Sequence, residues 1–163
     1  MLNLVNKKEL RQSSRYLAVE ILEKIELEDA YSNLLLRKVI EDNDLIKEDT
    51  NLLTELVYGV LQRKLTLDYQ LEPFIGKQKK LKNWVKQLLR ISLYQMEYLE
   101  RVPAHAIVNE AVNIARLRGH KGIAGLVNAV LRNIQRQGVR DFSEIKDVNQ
   151  RLSVQYSLPV WLV

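Results

Sequence analysis

Apolar residues recur at steps of three and four along nearly the whole chain, and almost nothing interrupts them. The 163 residues include only six glycines and three prolines. Sandwiches and barrels need many tight turns, and tight turns draw on those two residues, so the pattern predicts an all-α fold. The spacing predicts about seven helices. The first runs over 8–27 with Leu17, Ile21, Leu22 and Ile25 inward. The second runs over 31–43 with Leu34, Leu35, Val39 and Ile40 inward, ended by the polar Asp42-Asn43-Asp44. The third covers 48–64, capped near Asp49, Thr50 or Asn51, and a short fourth covers 67–74 and stops at Gly76. The fifth, over 81–100, carries the longest stripe: Leu81, Trp84, Val85, Leu88, Leu89, Ser92, Met96 and Leu99. Pro103 separates it from a sixth over 104–118, and a seventh over 122–137 ends at Gly138. Stripes this regular are core, arranged as a bundle with two subbundles, 1–75 and 77–138.

Several chemistries are excluded at once. There is no cysteine, hence no disulfide, thiolate metal site or cysteine nucleophile. The two histidines, His105 and His120, are too isolated in sequence for a histidine metal cluster. The N-terminus lacks the apolar stretch of a signal peptide, and no apolar run reaches the roughly 18 residues of a membrane span. A cytoplasmic location with no membrane partner is the expectation.

The net charge of +5 is mild but unevenly placed. Residues 18–72 hold 13 acids and 6 bases, whereas 73–96 and 111–140 hold 6 bases each and no acid. Such polarity fits a basic face turned to a polyanion, or else ordinary solvated helix faces. Three rows stand out. Lys7, Lys8, Arg11 and Arg15 share a face of the first helix. Lys82, Lys86 and Arg90 fall at i, i+4, i+8 on the fifth, read as one solvent-facing row. Asn128, Arg132 and Arg136 repeat that spacing on the seventh.

Other motifs are weaker. Gly119-His120-Lys121-Gly122-Ile123-Ala124-Gly125 follows a helix and not a strand, so it reads as a turn between helices rather than a dinucleotide loop. The start of the seventh helix could still seat an anion, with Arg116, Arg118, His120 and Lys121 around it. Glu23, Glu26, Glu28 and Asp29 are expected on an exposed helix end, a poor setting for acid–base catalysis. After Gly138 the pattern shortens and closes on Pro159-Val160-Trp161-Leu162-Val163. Residues 139–163 are therefore expected to be a linker into a further domain, with a final helix docked on the bundle as the alternative.

The segments 52–71, 88–103 and 105–138 together resemble the NusB-like domain, a seven-helix RNA-binding fold, over about residues 10–138. Asn109-Glu110-Ala111-Val112 and Val127-Asn128-Ala129-Val130-Leu131-Arg132 are the most specific parts. Two branches of the group are similar: free-standing antitermination factors, which bind boxA RNA with ribosomal protein S10 and act in regulation of transcription, and the N-terminal domains of the RsmB (Sun/Fmu) family of 16S rRNA cytosine-C5 methyltransferases. Tyr58-Gly59-Val60-Leu61-Gln62-Arg63, the Asn128-Ala129-Val130-Leu131-Arg132 ending and the segment 156–163 resemble the second branch.

The resemblance implies an rRNA-targeting domain, 1–138, whose partners are 16S rRNA, its own methyltransferase domain and a ribosomal protein. Candidate RNA-binding residues are Arg11, Arg15, Lys82, Lys86, Arg90, Arg118, Lys121, Arg132 and Arg136. Methylation at cytosine C5 requires a nucleophile on C6, which the family supplies with cysteine. This chain has none, and no Rossmann-like pattern for S-adenosylmethionine, so catalytic residues and cofactor are expected in the longer parent and not here. A protein-only interaction domain is the third reading.

Overall fold

The computed structural model describes residues 4–76 and 80–163. Among them are eight α-helices and no strand: α1 (Leu4–Arg11), α2 (Ser14–Glu28), α3 (Ser32–Asn43), α4 (Lys47–Ile75), α5 (Asn83–Tyr98), α6 (Ala104–Arg118), α7 (Lys121–Gln137) and α8 (Val148–Tyr156), with a 3-10 turn at Val160–Leu162. The all-α expectation holds, and the boundaries differ in instructive places.

The expected first helix is two. Ser13 breaks it with extended backbone and accepts a hydrogen bond from the Tyr16 amide, which starts α2 afresh. The expected third and fourth helices are one, kinked where Arg63 leaves helical geometry (φ −121°, ψ 19°). In α3, Leu36 rather than Leu34 reaches the core, and Leu34 is exposed. The lysine cluster is described only from Lys80 onward; Lys77 and Lys79 lie outside the described residues.

The core is one cluster running from Leu17 to Ile134, so the two expected subbundles do not separate. At its centre lies α5, which packs on α2, α4, α6 and α7. Between Trp84 and Gln95 every residue of α5 except Lys86 is buried. Helix α4 meets it closely at Gly59. A Cβ there would lie 2.2 Å from Tyr94 Cζ, so that turn of α4 has no room for a side chain. Tyr94 donates to Glu55 Oε1 (2.8 Å), and burial together with that carboxylate pushes its phenol up to about 12.

Residues 140–157 of the segment expected as a linker pack against α4, with α8 docked along it. Pro73 lies within α4 and has no N–H to give the Tyr69 carbonyl four residues earlier. Arg140 supplies the missing donors. Its Nε and Nη2 donate to Tyr69 O (3.1 and 2.9 Å), and its guanidinium lies 3.6 Å above the Tyr69 ring. The other parts of the clasp are a Tyr69–Phe142 stack at 5.5 Å and a hydrogen bond from Tyr69 Oη to Asp141 O (3.0 Å). Beyond it, Thr66 donates to Val154 O (2.5 Å), and the Leu65 amide, just past the kink, donates to Ser157 Oγ (3.0 Å). Removing the clasp with Arg140→Ala should speed amide exchange across 142–158 by about tenfold and leave α5 protected, as read by hydrogen exchange. Unchanged exchange would mean that α8 docks without the clasp.

Candidate nucleic-acid interface

The nine candidate cations divide into two groups. Arg15, Arg90 and Arg118 turn inward and fasten helices together, each through a residue of α2. Arg11, Lys82, Lys86, Lys121, Arg132 and Arg136 are exposed.

Arg90 corrects the solvent-facing row expected on α5. It is only 5% exposed. Its Nε and Nη2 donate to Asp68 Oδ1 and Oδ2 (2.7 and 2.9 Å), and Nη1 lies 3.3 Å from Glu26 Oε1. Glu26 also accepts from Lys64, Asn83 and, at 2.9 Å, Gln87. Burial works against ionisation of Glu26, yet the hydrogen bonds from Lys64 and Asn83 and the charge of Arg90 hold its carboxyl at about 2, against an ordinary 4.5. The row fails for a geometric reason. Lys82 is the N-cap of α5, with extended backbone (φ −60°, ψ 149°), so it stands outside the helix. Of the two helical members, a four-residue step drifts by about 40°, and Arg90 comes to lie against α4 while Lys86 stays exposed.

Arg15, expected beside Arg11 on an outer face, lies across α2, α5 and α6. Its Nε donates to the buried Gln95 Oε1 (2.6 Å) and its Nη1 pairs with Glu110 Oε2 (2.6 Å). Arg118 pairs with Glu23 of α2 and lies 5.3 Å above the Trp84 ring, which ties the α6–α7 turn to α2 and α5. Glu23 and Glu26, read from sequence as an exposed helix end, are thus the anchors of two of these three bridges. Sequence reasoning missed them because their partners come from helices 64 and 95 residues away. The anion seat at the start of α7 is also occupied from within. His120 Nδ1 accepts from the Gly122 and Ile123 amides (3.1 and 3.4 Å), the groups a phosphate would use.

Two of the exposed cations, Arg11 and Lys86, border different cavities. Arg11 borders a cavity with Glu20 and Lys24 of α2 and Leu35, Val39 and Asn43 of α3. Lys86 borders another with Asp68, Leu71 and Glu72 of α4. No residue of α7 lines either cavity. On α7, Ala124, Val127, Val130, Leu131 and Ile134 face the core, and Lys121, Gly125, Asn128, Arg132 and Arg136 face out. Among the described residues no carboxylate pairs with Lys121, Arg132 or Arg136. The two arginines touch only neutral partners, Gln135 at 3.4 Å and Asn133. Gly125 is exposed, and a Cβ built on it meets nothing within 4 Å. A glycine inside a helix costs about 1 kcal/mol against alanine, and no packing contact here requires it. Among the described residues no His, Asp and Glu group is placed to hold a metal ion, and no helix is long and apolar enough to cross a membrane.

Two measurements check the inward group. Arg90→Met should lower unfolding stability by about 3 kcal/mol in urea. That is the low end for a broken buried pair, because Asp68 and Glu26 side chains stay 41% and 26% exposed and keep some water. Because the Glu26 carboxyl is depressed in the fold, its contribution is fully present above about 4.5 and is lost as pH falls through about 2. Glu26→Gln should therefore lose stability at neutral pH and show a flatter stability curve between those values; a curve as steep as the parent's would assign the acid response to other carboxylates.

Comparison with known proteins agrees with this architecture. Residues 12–136 match the model of the NusB family. The chain is 58% identical over 153 residues to a probable ribosomal RNA small subunit methyltransferase B of Bacillus subtilis, covering 94% of this chain and 34% of that protein. The corresponding Synechocystis protein is 36% identical over 155 residues, with 93% and 34% covered. A transcription antitermination protein NusB of Listeria monocytogenes is 29% identical over 126 residues, covering 76% of this chain and 94% of that protein. A solved structure of antitermination factors NusB and NusE in complex with dsRNA has the same fold, with a TM-score of 0.70 at 18% identity, covering 78% of this chain and 97% of that one. The chain spans about a third of the length of the methyltransferase relatives it matches. With the family model matching α2 through α7, the chain belongs to the NusB family.

Proposed function

We propose that this chain is the rRNA-binding domain of a cytoplasmic, S-adenosylmethionine-dependent 16S rRNA cytosine-C5 methyltransferase, and that it does no chemistry itself. The observation that carries the reading is the outer face of α7. It presents Lys121, Arg132 and Arg136 with no acid on the helix and none paired to them among the described residues. Phosphate contacts from such a face supply affinity and orientation with little sequence choice. Lys82 at the N-cap of α5, Lys86 on α5 and Arg11 on α1 extend the contact where the RNA reaches them; Arg15, Arg90 and Arg118 do not contribute, being tied to carboxylates.

The identity of the two methyltransferase relatives favours this branch of the family over the antitermination branch. The residues present do not fit S-adenosylmethionine. Among the described residues there is no strand, and the glycines at 119–125 form a turn between helices and the first turn of α7, capped by His120. Cofactor and nucleophile are accordingly assigned to a catalytic domain of the longer parent, with residues 140–157, clasped to α4, as the side on which that domain sits.

The test is binding to 16S rRNA helices and to a boxA RNA across a salt series. A 16S helix should be preferred. Replacing Lys121, Arg132 and Arg136 together by Glu should weaken binding more than tenfold and lower the slope of log affinity against log salt by about one per cation removed. Arg37→Glu on the outside of α3 is the control and should change little. Preference for boxA, strengthened by ribosomal protein S10, would favour the antitermination reading. Binding to neither RNA would leave a protein-interaction domain with solvated basic rows.

A further inference from the structure

The α7 face has a property that its charge does not explain. Between Lys121 and Arg132, which lie about 16 Å apart along the helix axis, the outward positions are Gly125, Asn128 and Ala129. A Cβ at 125 would meet nothing within 4 Å, so the missing methyl is not imposed by packing. No aromatic side chain lies on α7 at all. Recognition of unpaired RNA relies on stacking bases against aromatic rings, and this face has none to offer. A-form RNA instead displays 2′-hydroxyls across a wide, shallow minor groove bounded by phosphates. A helix with a low centre, one amide at Asn128 and cations toward both ends complements that surface.

We infer that α7 docks backbone-first on the minor groove of double-stranded RNA. Gly125 sets the closest approach, Asn128 contacts 2′-hydroxyls, and Lys121, Arg132 and Arg136 meet the flanking phosphates. The inference rests on the reading that this face binds RNA, and it names the form of RNA and the mode of contact. Recognition is then by shape and sugar chemistry rather than by base sequence.

Fluorescence anisotropy on the full chain, with a labelled RNA duplex, the DNA duplex of the same sequence and a single-stranded RNA of equal length, tests it. The RNA duplex should bind about tenfold more tightly than either of the others. Gly125→Leu, at an exposed position whose Cβ has free space and with a residue of higher helix propensity, should melt no lower than the parent by circular dichroism. It should nevertheless bind the RNA duplex about tenfold more weakly with an unchanged salt slope, because the obstruction is steric and not electrostatic. Asn128→Ala should narrow the difference between RNA and DNA duplexes. Tighter binding of the single strand, or full affinity in Gly125→Leu while Arg132→Glu binds poorly, would overturn the docking mode and keep the RNA-binding reading. Full affinity in both variants would remove the face from RNA binding altogether.

Discussion

A helix buried on nearly all sides cannot carry a charge unless the charge is neutralised inside. That constraint organises this protein. α5 contacts four other helices and is buried from Trp84 to Gln95 apart from Lys86. Arg90 sits in the middle of that stretch, and each of its three guanidinium nitrogens must find a partner for the charge to be buried there. Asp68 takes two of them in a fork and Glu26 takes a third. Since Asp68 is on α4 and Glu26 on α2, matching the donors also sets how those helices lie against α5. Arg15 and Arg118 repeat the device, one with Glu110 and Gln95 and the other with Glu23. Two of the four acids of α2, Glu23 and Glu26, are thereby engaged by the interior.

The sequence of α7 contains cations and no acid, and the helix shows them to solvent. The fastening of Arg118 to Glu23 and over Trp84 holds the turn that precedes α7, and His120 closes its first amides. The exposed row is therefore presented from a rigid support, which favours defined contact over a loose electrostatic cloud. A second internal debt is met at the other end of the molecule. Pro73 leaves a carbonyl without its helical donor, and Arg140 answers from 71 residues away, which brings the last segment of the chain onto α4.

Some of this was legible in the residues before any coordinates. Helix identity and most ends followed from apolar period, from Gly76 and Gly138 and from Pro103, since these act through local backbone geometry. The row at Asn128, Arg132 and Arg136 was read correctly as outward because its middle member lies on the centre of the exposed face, so the drift of a four-residue spacing does not carry its ends inside. The same spacing misleads on α5, where Lys82 precedes the helix as its extended N-cap and Arg90, four residues after the exposed Lys86, is buried against α4. The break at Ser13 and the fusion of two expected helices across Arg63 were missed for a different reason. Each is settled by a single hydrogen bond or packing contact whose cost is comparable to the local preference it overrides.

By itself the sequence determined that the chain is helical, where its apolar faces lie, that no thiol chemistry is open to it, and that bases and acids are segregated along it. These properties depend on neighbours within a few residues or on composition alone. Only the tertiary structure decided which cations are staples and which are surface, that Glu23 and Glu26 are anchors and not a solvated end, and that residues 140–157 pack on α4. Those outcomes turn on desolvation and on partners 64 to 95 residues apart, and a charged side chain carries no mark of which partner it will meet until the helices are packed.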